Sequence, residues 1–262
     1  MSCFRLLNGG ESQGCIRAFI AWGASLTLIL ACLSVPSRAA DGVFVLNTST
    51  GAPYATEDRT GFQDRMVAEV FRRLGLVGRV ERYKASRRAL INANENIDHG
   101  VAMRVKGLEK RYQNLVRVDE TFVENDFVAY SKGLDLQTHS WASLKPYAVA
   151  HIHGWVIFER NLLSGQNIST VKTPDQMLAM LVKNRVDLIL YERWQGLQRA
   201  RDNGLRVTVH EPPLASVDMY MYMHKRYASL VPRIADALRA MKVDGTYEKI
   251  YSQTLLKLRP EG

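Results

Sequence analysis

The feature that most constrains the fold of this 262-residue chain is a regular alternation of strand and helix patterns. Residues 42–47 are a short apolar run that predicts a buried strand, and residues 62–74 carry apolar side chains at helical spacing. Residues 78–83 predict a second strand, 86–94 a short helix that Ser86 could cap, and 97–103 a third strand. This order is typical of a parallel sheet with crossover helices, so we expect an α/β fold.

A second α/β unit follows a polar linker at residues 131–140. Residues 147–152 predict a strand, and Thr173 followed by Pro174 predicts the capped start of a helix. Residues 186–191 predict a buried strand that ends at Glu192. Residues 218–224 alternate Met with Tyr, which predicts a strand with one residue type on each face. Apolar residues at helical spacing then predict two C-terminal helices.

The N-terminus has the pattern of an export signal. Residues 18–35 carry no charge and follow two arginines, and Ser37-Arg38-Ala39 places small residues where a signal peptidase recognises them. We expect cleavage after Ala39 or Ala40 and a periplasmic mature protein. Two alternatives stay open. The apolar run is long enough for an uncleaved membrane anchor, and the residues before Cys32 loosely resemble a lipoprotein signal, which would give a lipid anchor.

Composition limits the kinds of site that the mature chain can carry. Its three cysteines, Cys3, Cys15 and Cys32, all precede the expected cleavage site, so disulfides, thiol nucleophiles and thiolate metal sites are excluded. The formal charge is +9, which in an exported protein favours an anionic membrane surface or an anionic partner over nucleic acid. The basic residues at 72–88 lack the interleaved aromatic residues of a single-strand binding groove. We expect no nucleic-acid partner and no cofactor.

The strongest candidate binding feature follows the third predicted strand. It consists of four cations, Arg104, Lys106, Lys110 and Arg111. Ligands of open α/β sheets bind beyond the carboxyl ends of strands, and an arginine can hold a carboxylate through two parallel hydrogen bonds. The alternative interpretation is a solvated basic loop. Tyr54, just after the first predicted strand, is either an aromatic wall of the same site or a loop tyrosine fixed beside proline.

His151 and His153 are two residues apart on a predicted strand and should face the same side. With a third ligand they could bind zinc, but no matching His or Asp pair is evident, so we expect no metal site. The neutral interpretation is a pair of imidazoles that hydrogen-bond a ligand.

Seven short motifs occur in a specific order along the mature chain. They are Ala52-Pro53-Tyr54, Gly61-Phe62, Ile97-Asp98, Glu109-Lys110-Arg111, Ser143-Leu144-Lys145 before a strand ending in Gly154, Val186-Asp187 with Glu192 five residues later, and residues 244–250. In this order they resemble the periplasmic solute-binding proteins of polar amino-acid ABC transporters, the bacterial extracellular solute-binding protein family 3. The resemblance covers nearly all of the mature chain.

The resemblance implies a two-lobed periplasmic-binding-protein fold of type II, with the ligand cleft between lobes joined by two hinge strands. After a signal peptide at residues 1–39, it places the first lobe at 41–124 and 224–262 and the second at 125–223. It implies a monomer that captures a small polar carboxylate-bearing solute, an amino acid or a relative, for a membrane ABC permease.

The resemblance also implies roles for individual residues. Arg111 would hold the ligand carboxylate, Glu192 its ammonium group, and Tyr54 would line the cleft. Arg104 lies at the same strand end and competes with Arg111 for the carboxylate. Gly154 and Trp155 occupy the second-lobe segment of the site, where Trp155 stands in place of the family's small hydroxyl residue. Such departures keep the ligand cleft between the lobes but change the side chains that would contact the ligand.

Two other classes of function fit the same fold. Cyclohexadienyl dehydratases resemble it and use a cleft carboxylate as an acid. Glu192 could act in this way if burial raised its pKa, although Arg111 across the cleft would oppose the rise. The third class is a sensor module that reports a ligand to a membrane partner. We favour a binding protein over an enzyme.

Overall fold

The computed structural model describes residues 42–260, which form ten β-strands and seven α-helices. All of them belong to one unit when the chain is divided by its internal contacts. The apolar run at residues 18–35, the expected cleavage site and Cys32 lie outside the described residues. Within residues 42–260, every helix is too short or too polar to serve as a membrane span.

The first half of the structure is a parallel sheet with β1 at its centre. The alternation predicted for this region is confirmed, and its elements are β1 (Val43–Thr48), α1 (Phe62–Arg73), β2 (Val77–Arg82), α2 (Ser86–Asn94) and β3 (Gly100–Val105). Strand β1 pairs in parallel with both β2 and β3, so the carboxyl ends of all three strands lie at one edge. Ser86 is the first residue of α2 and not its cap, because Ala85 occupies the N-cap position.

Helix α1 covers the first half of the sheet with one apolar stripe. Met66, Val67, Val70 and Phe71 are fully buried, and each such side chain contributes about 1.5–3 kcal/mol by leaving water. At Gly78 the β2 backbone runs directly against the Phe71 ring, where an added Cβ would fall 2.6 Å from ring carbons. A side chain at residue 78 would therefore force the strand away from α1.

The second half of the structure repeats the parallel arrangement. Strand β8 pairs in parallel with β6, which in turn pairs with β7. Its elements are β6 (Val149–Ile152), α3 (Val156–Asn161), β7 (Ile168–Val171), α4 (Pro174–Val182), β8 (Leu188–Glu192) and α5 (Arg193–Asp202). The sequence patterns did not predict β7 or α5.

Two long strands cross between the halves. They are β5 (Val123–Ser131) and β10 (Ala215–His224), which pair antiparallel with each other, and the short strands β4 (Leu115–Arg117) and β9 (Thr208–Val209) pair with β10 and β5 respectively. Residues 219–224 of β10 already pair with β3 and β4 of the first half. The boundary expected at 223–224 therefore falls too late in the chain, and we propose that this crossing lies at residues 215–219.

The methionine and tyrosine faces of β10 are confirmed. Met219, Met221 and Met223 join the main core, whereas Tyr220 and Tyr222 pack in a second cluster with Leu115. The C-terminal helices α6 (Val231–Val243) and α7 (Thr246–Thr254) pack on α1 of the first half. The short 3-10 turn Leu256–Leu258 that follows contacts α5 of the second half. The C-terminal segment therefore touches both halves.

Candidate functional site

A cleft of about 1000 Å³ lies where strand ends of the two halves face each other. Loops after β1, β2 and β3 form one wall, and those after β6 and β8 form the other. Asn125, Phe127 and Met219 of the crossing strands also line it. This is the position in which α/β sheets bind ligands, because the carboxyl ends of parallel strands meet there.

Arg104 is the central cation of the cleft. It is the second-last residue of β3 and half-buried, and it donates hydrogen bonds to Met103 O at 2.9 Å, Ser49 Oγ at 2.9 Å and Ser86 Oγ at 3.1 Å. All three acceptors are neutral, and among residues 42–260 no carboxylate forms an ion pair with this guanidinium. Burial lowers the pKa of Arg104 to about 10, so the side chain stays charged at neutral pH.

Two more cations of the first half line the cleft beside Arg104. They are Arg82 and Lys84, at and just after the end of β2. The Arg82 guanidinium packs against Gly51, where an added Cβ would lie 3.0 Å from Nη1. The first wall of the cleft is therefore positive, and Gly51 leaves the space that Arg82 occupies.

Arg111 lies away from the cleft. It follows the 3-10 turn Leu108–Lys110, is exposed, and places its guanidinium 5.8 Å from the centre of the Tyr112 ring. Of the two arginines that competed for the carboxylate role, the structure places only Arg104 in the cleft. The glycine turn at Gly107, with φ of +88°, directs the later part of the loop away from the strand end.

Trp155 provides the opposite wall of the cleft. Its ring centre lies 4.7 Å from that of Tyr191, 5.7 Å from Phe158 in a stacked geometry, and 6.0 Å from Phe127 edge to face. Offset and edge-to-face contacts of this kind are favourable and hold the rings rigid. Gly154 also lines the cleft, with φ of +82° and its N–H donating to Glu159 Oε1 at 2.6 Å.

Tyr54 and Glu192 meet each other at the cleft, which Glu192 lines and Tyr54 does not. Both are fully buried, and the Tyr54 hydroxyl lies 2.8 Å from Glu192 Oε1 and 3.0 Å from Asn125 Oδ1. Glu192 also caps α5, accepting from the N–H groups of Trp194 at 3.2 Å and Gln195 at 2.9 Å. Tyr54 is therefore not an exposed aromatic wall, and both carboxylate oxygens of Glu192 already accept hydrogen bonds from the protein.

Burial raises the pKa of Glu192 to about 7, even though its hydrogen bonds with Gln195, Trp194 and Tyr54 favour the charged form. We expected Arg111 to oppose such a rise, and this was wrong because Arg111 lies on an exposed loop. Protonated Glu192 could donate to Tyr54, which could then donate to Asn125. The Tyr54 hydroxyl has only one proton to donate. If Glu192 were ionised, that proton would go to Glu192 and Asn125 Oδ1 would lack a donor, whereas protonated Glu192 leaves it free for Asn125.

The two histidines do not form a pair. His151 is buried at 3% exposure near Thr170, whereas the His153 side chain is 80% exposed and lies 3.5 Å from Glu159. They differ because β6 ends at Ile152, so the strand alternation does not extend to His153. Neither imidazole lines the cleft. Among residues 42–260 no group of three His, Cys, Asp or Glu side chains is arranged to hold a metal ion.

Several cleft residues escaped the sequence analysis. They include Ser49, Arg82, Ser86, Asn125 and Tyr191. Four of them could have been identified by their position in the sequence, because they lie at or just after predicted strand ends or helix starts. Asn125 lies in the crossing strand β5, and its signal was the lobe boundary expected at residues 124–125.

Comparison with known proteins was made for both sequence and structure. No family model matches the sequence. An uncharacterized protein of Shewanella oneidensis is 25% identical over 153 residues, which are 55% of this chain and 57% of that protein. The match therefore spans just over half of the relative.

Solved structures match over most of the chain. The GluR0 ligand-binding core in complex with L-glutamate has a TM-score of 0.69 at 12% identity and covers 82% of this chain and 99% of its own. The second substrate-binding domain of a putative amino acid ABC transporter from Streptococcus pneumoniae has a TM-score of 0.65 at 14% identity, covering 81% and 99%. An ancestral arginine-binding protein bound to glutamine has a TM-score of 0.63 at 20% identity, and the match covers 81% of this chain and 97% of that protein.

The chain has the two-lobed periplasmic-binding-protein fold. The α/β fold class and the resemblance to solute-binding proteins are thus confirmed at the level of the fold. Proteins with this fold also include a histidine kinase sensor domain and an ancestral amino acid-binding protein described as a precursor of cyclohexadienyl dehydratase. In this periplasmic-binding-protein fold the two halves described above are the lobes, and the cleft lies between them.

Proposed function

We propose that the protein captures a small carboxylate-bearing solute in the periplasm and, as a monomer, hands it to a membrane permease. The observation that carries the proposal is Arg104, a half-buried guanidinium in the cleft with three neutral hydrogen-bond acceptors and no ion-pairing carboxylate within residues 42–260. A charge removed from water is costly unless it is paired. A ligand carboxylate would supply the missing negative charge.

The surroundings of Arg104 support an anionic ligand over a neutral one. Arg82 and Lys84 add positive charge to the same wall, and Ser49 and Ser86 hold the guanidinium through their hydroxyl groups. A guanidinium held in this way is preorganised, because little side-chain freedom remains to be lost when the ligand arrives. Periplasmic location is supported by the export pattern before residue 42.

The test of this proposal compares Arg104 at the end of β3 with Arg111 in the loop that follows. A thermal-shift screen of small organic acids and amino acids identifies ligands, since one at a hundredfold excess over Kd adds about 2.7 kcal/mol of stability. Titration calorimetry then measures their affinity for Arg104→Ala and Arg111→Ala. We expect Arg104→Ala to weaken binding by about 2–5 kcal/mol, because the carboxylate would lose its buried partner. Exposed Arg111→Ala is the matched control and should bind normally.

The opposite ranking of these two variants, or normal binding by both, would reject the proposed site. Delivery to a permease is tested separately in cells. Uptake of the radiolabelled ligand should fall when the gene is deleted, and unchanged uptake would favour the sensor class instead.

A second candidate function is a cleft enzyme of the dehydratase type. The observation that favours it is Glu192, whose pKa of about 7 would allow it to give and take a proton near neutral pH. Incubation of each confirmed ligand with the protein, followed by mass spectrometry, separates the two candidates. Turnover that is lost in Glu192→Gln would establish the enzyme, and unchanged ligand mass supports the binding protein.

A further inference from the structure

The cleft has features that narrow the class of solute, and this step rests on the proposed function. We infer that the ligand is an aromatic carboxylate without an α-ammonium group, such as an arylalkanoate. Its carboxylate lies at Arg104 and its ring lies against Trp155. Three independent observations carry the inference: the rigid aromatic wall, the excess of positive charge in the inner cleft, and the size of the cleft.

The aromatic wall is built to present a flat apolar face. Trp155 is half-buried, and the stacked ring of Phe158 behind it and the tilted ring of Tyr191 beside it fix its orientation. Ile152 and Ile157 extend the apolar lining on the same lobe. A rigid ring that already makes such contacts binds another ring at low entropic cost.

An ammonium group would find no suitable partner near this wall. Glu192 is fully buried and already accepts from Tyr54, Trp194 and Gln195. The other acidic residues of the lining, Glu57 and Asp202, are exposed. Water screens these two exposed carboxylates, so the charge of the inner cleft is mainly positive, which favours an acid over a zwitterion.

The volume of the cleft points the same way. At about 1000 Å³ it lies at the upper end of the range for small-molecule sites, roughly 300–1000 Å³. The cations of the first lobe and the aromatic wall of the second line opposite sides of this space. A ligand with an anionic end and a ring at the other contacts both lobes and so stabilises their closed arrangement.

The experiment uses matched probes that differ by one group. Titration calorimetry at pH 7.5 compares 3-phenylpropionate with L-phenylalanine, which adds the ammonium group, and with propionate, which lacks the ring. Benzoate, phenylacetate and indole-3-acetate extend the aromatic series. At least one aromatic acid should bind at least tenfold more tightly than both its amino counterpart and propionate.

Variants then assign the two ends of the ligand. Trp155→Leu should lower the affinity for the aromatic acid at least tenfold and leave propionate binding unchanged. Trp141→Leu removes an indole from the same lobe but outside the cleft lining, and it should bind normally. Arg104→Gln should weaken both acids.

The outcomes separate this inference from the function on which it rests. Equal or tighter binding of phenylalanine or of propionate overturns the aromatic-acid inference but keeps the carboxylate-binding function. Binding of no acid in the series, or full binding by Arg104→Gln, overturns both. Normal binding of the aromatic acid by Trp155→Leu overturns the placement of the ring.

Discussion

At the scale of single residues, Glu192 combines two tasks that the sequence pattern could not separate. It ends β8 and begins α5, so its carboxylate caps the helix while it also meets Tyr54 of the other lobe. Full burial makes its charged form unfavourable and raises the pKa to about 7. The protein therefore holds this carboxyl as a mixture of charged and neutral forms near neutral pH.

The first prediction is a pH-dependent stability that belongs to Glu192. Its pKa rises from the ordinary 4.5 to about 7 in the folded protein, so its contribution is full below pH 4 and is lost as pH rises through 7. The loss is on the order of 3 kcal/mol at 1.36 kcal/mol per pKa unit. Urea unfolding across pH 5–8.5 should show that Glu192→Gln, which cannot ionise, removes this part of the decline.

The control for this measurement is the difference between the two proteins at each pH. Burial lowers the pKa values of His99 and His224, which makes their contribution rise with pH, and both proteins share it. Parallel stability curves for wild type and Glu192→Gln would show that Glu192 does not titrate in this range.

At the scale of elements, the N-termini of α4 and α5 show which helices a local sequence pattern can predict. The cap of α4 was predicted from Thr173 and Pro174, and Thr173 Oγ1 does accept from Gln176 N–H at 3.2 Å. Helix α5 was missed because its sequence RWQGLQRARD is mostly polar, although Trp194, Leu197 and Ala200 recur at helical spacing. A helix that buries so few apolar residues depends on tertiary contacts more than on its own pattern.

The second prediction concerns the cap of α4. Thr173→Ala should lower the free energy of unfolding by about 1 kcal/mol, because the first turn loses a hydrogen-bond acceptor. Thr173→Ser keeps the hydroxyl and should retain most of the stability. Chemical denaturation of both variants measures the difference, and equal losses in both would show that the methyl group and not the cap matters.

At the scale of the whole molecule, side-chain contacts between the lobes act together with the crossing strands to set how the two lobes are arranged. Tyr54 and Glu192 form a buried hydrogen bond between lobes, and Tyr251 of α7 meets Trp194 of α5 edge to face at 5.7 Å. Arg259 lies 5.8 Å from the centre of the Trp194 ring. These contacts hold the two lobes together in addition to the crossing strands.

The third prediction is that Tyr54→Phe shifts the lobes toward an open arrangement. The variant removes a hydrogen bond between lobes, whereas Tyr222→Phe removes one to Val105 O within the first lobe and is the matched control. Both should lose about 1 kcal/mol of stability. Small-angle scattering without ligand should give a larger radius of gyration for Tyr54→Phe alone, and equal radii would remove this bond from the control of opening.

The fold could be predicted from sequence further than the site could. Alternation of apolar runs with helical stripes is a local signal, and it located β1, α1, β2 and α2 closely. The orientation of Tyr54 and the separation of Arg104 from Arg111 depend on how the chain folds between lobes and around the Gly107 turn. Residue spacing carries no information on such contacts. The assignment of the carboxylate to Arg104 in place of Arg111 is therefore a proposal that rests on the structure.

The end of the described chain suggests a route to a fluorescent sensor. Arg259 lies over Trp194 of the second lobe, while α7 just before it rests on the first lobe. Because the sequence has no cysteine after Cys32, a cysteine introduced at exposed Lys257 would be the single labelling site of residues 42–260. A dye attached there would lie on the 3-10 turn that contacts α5, the helix that carries Trp194. Movement of the lobes would then change its brightness, and the residues of the cleft would stay unaltered.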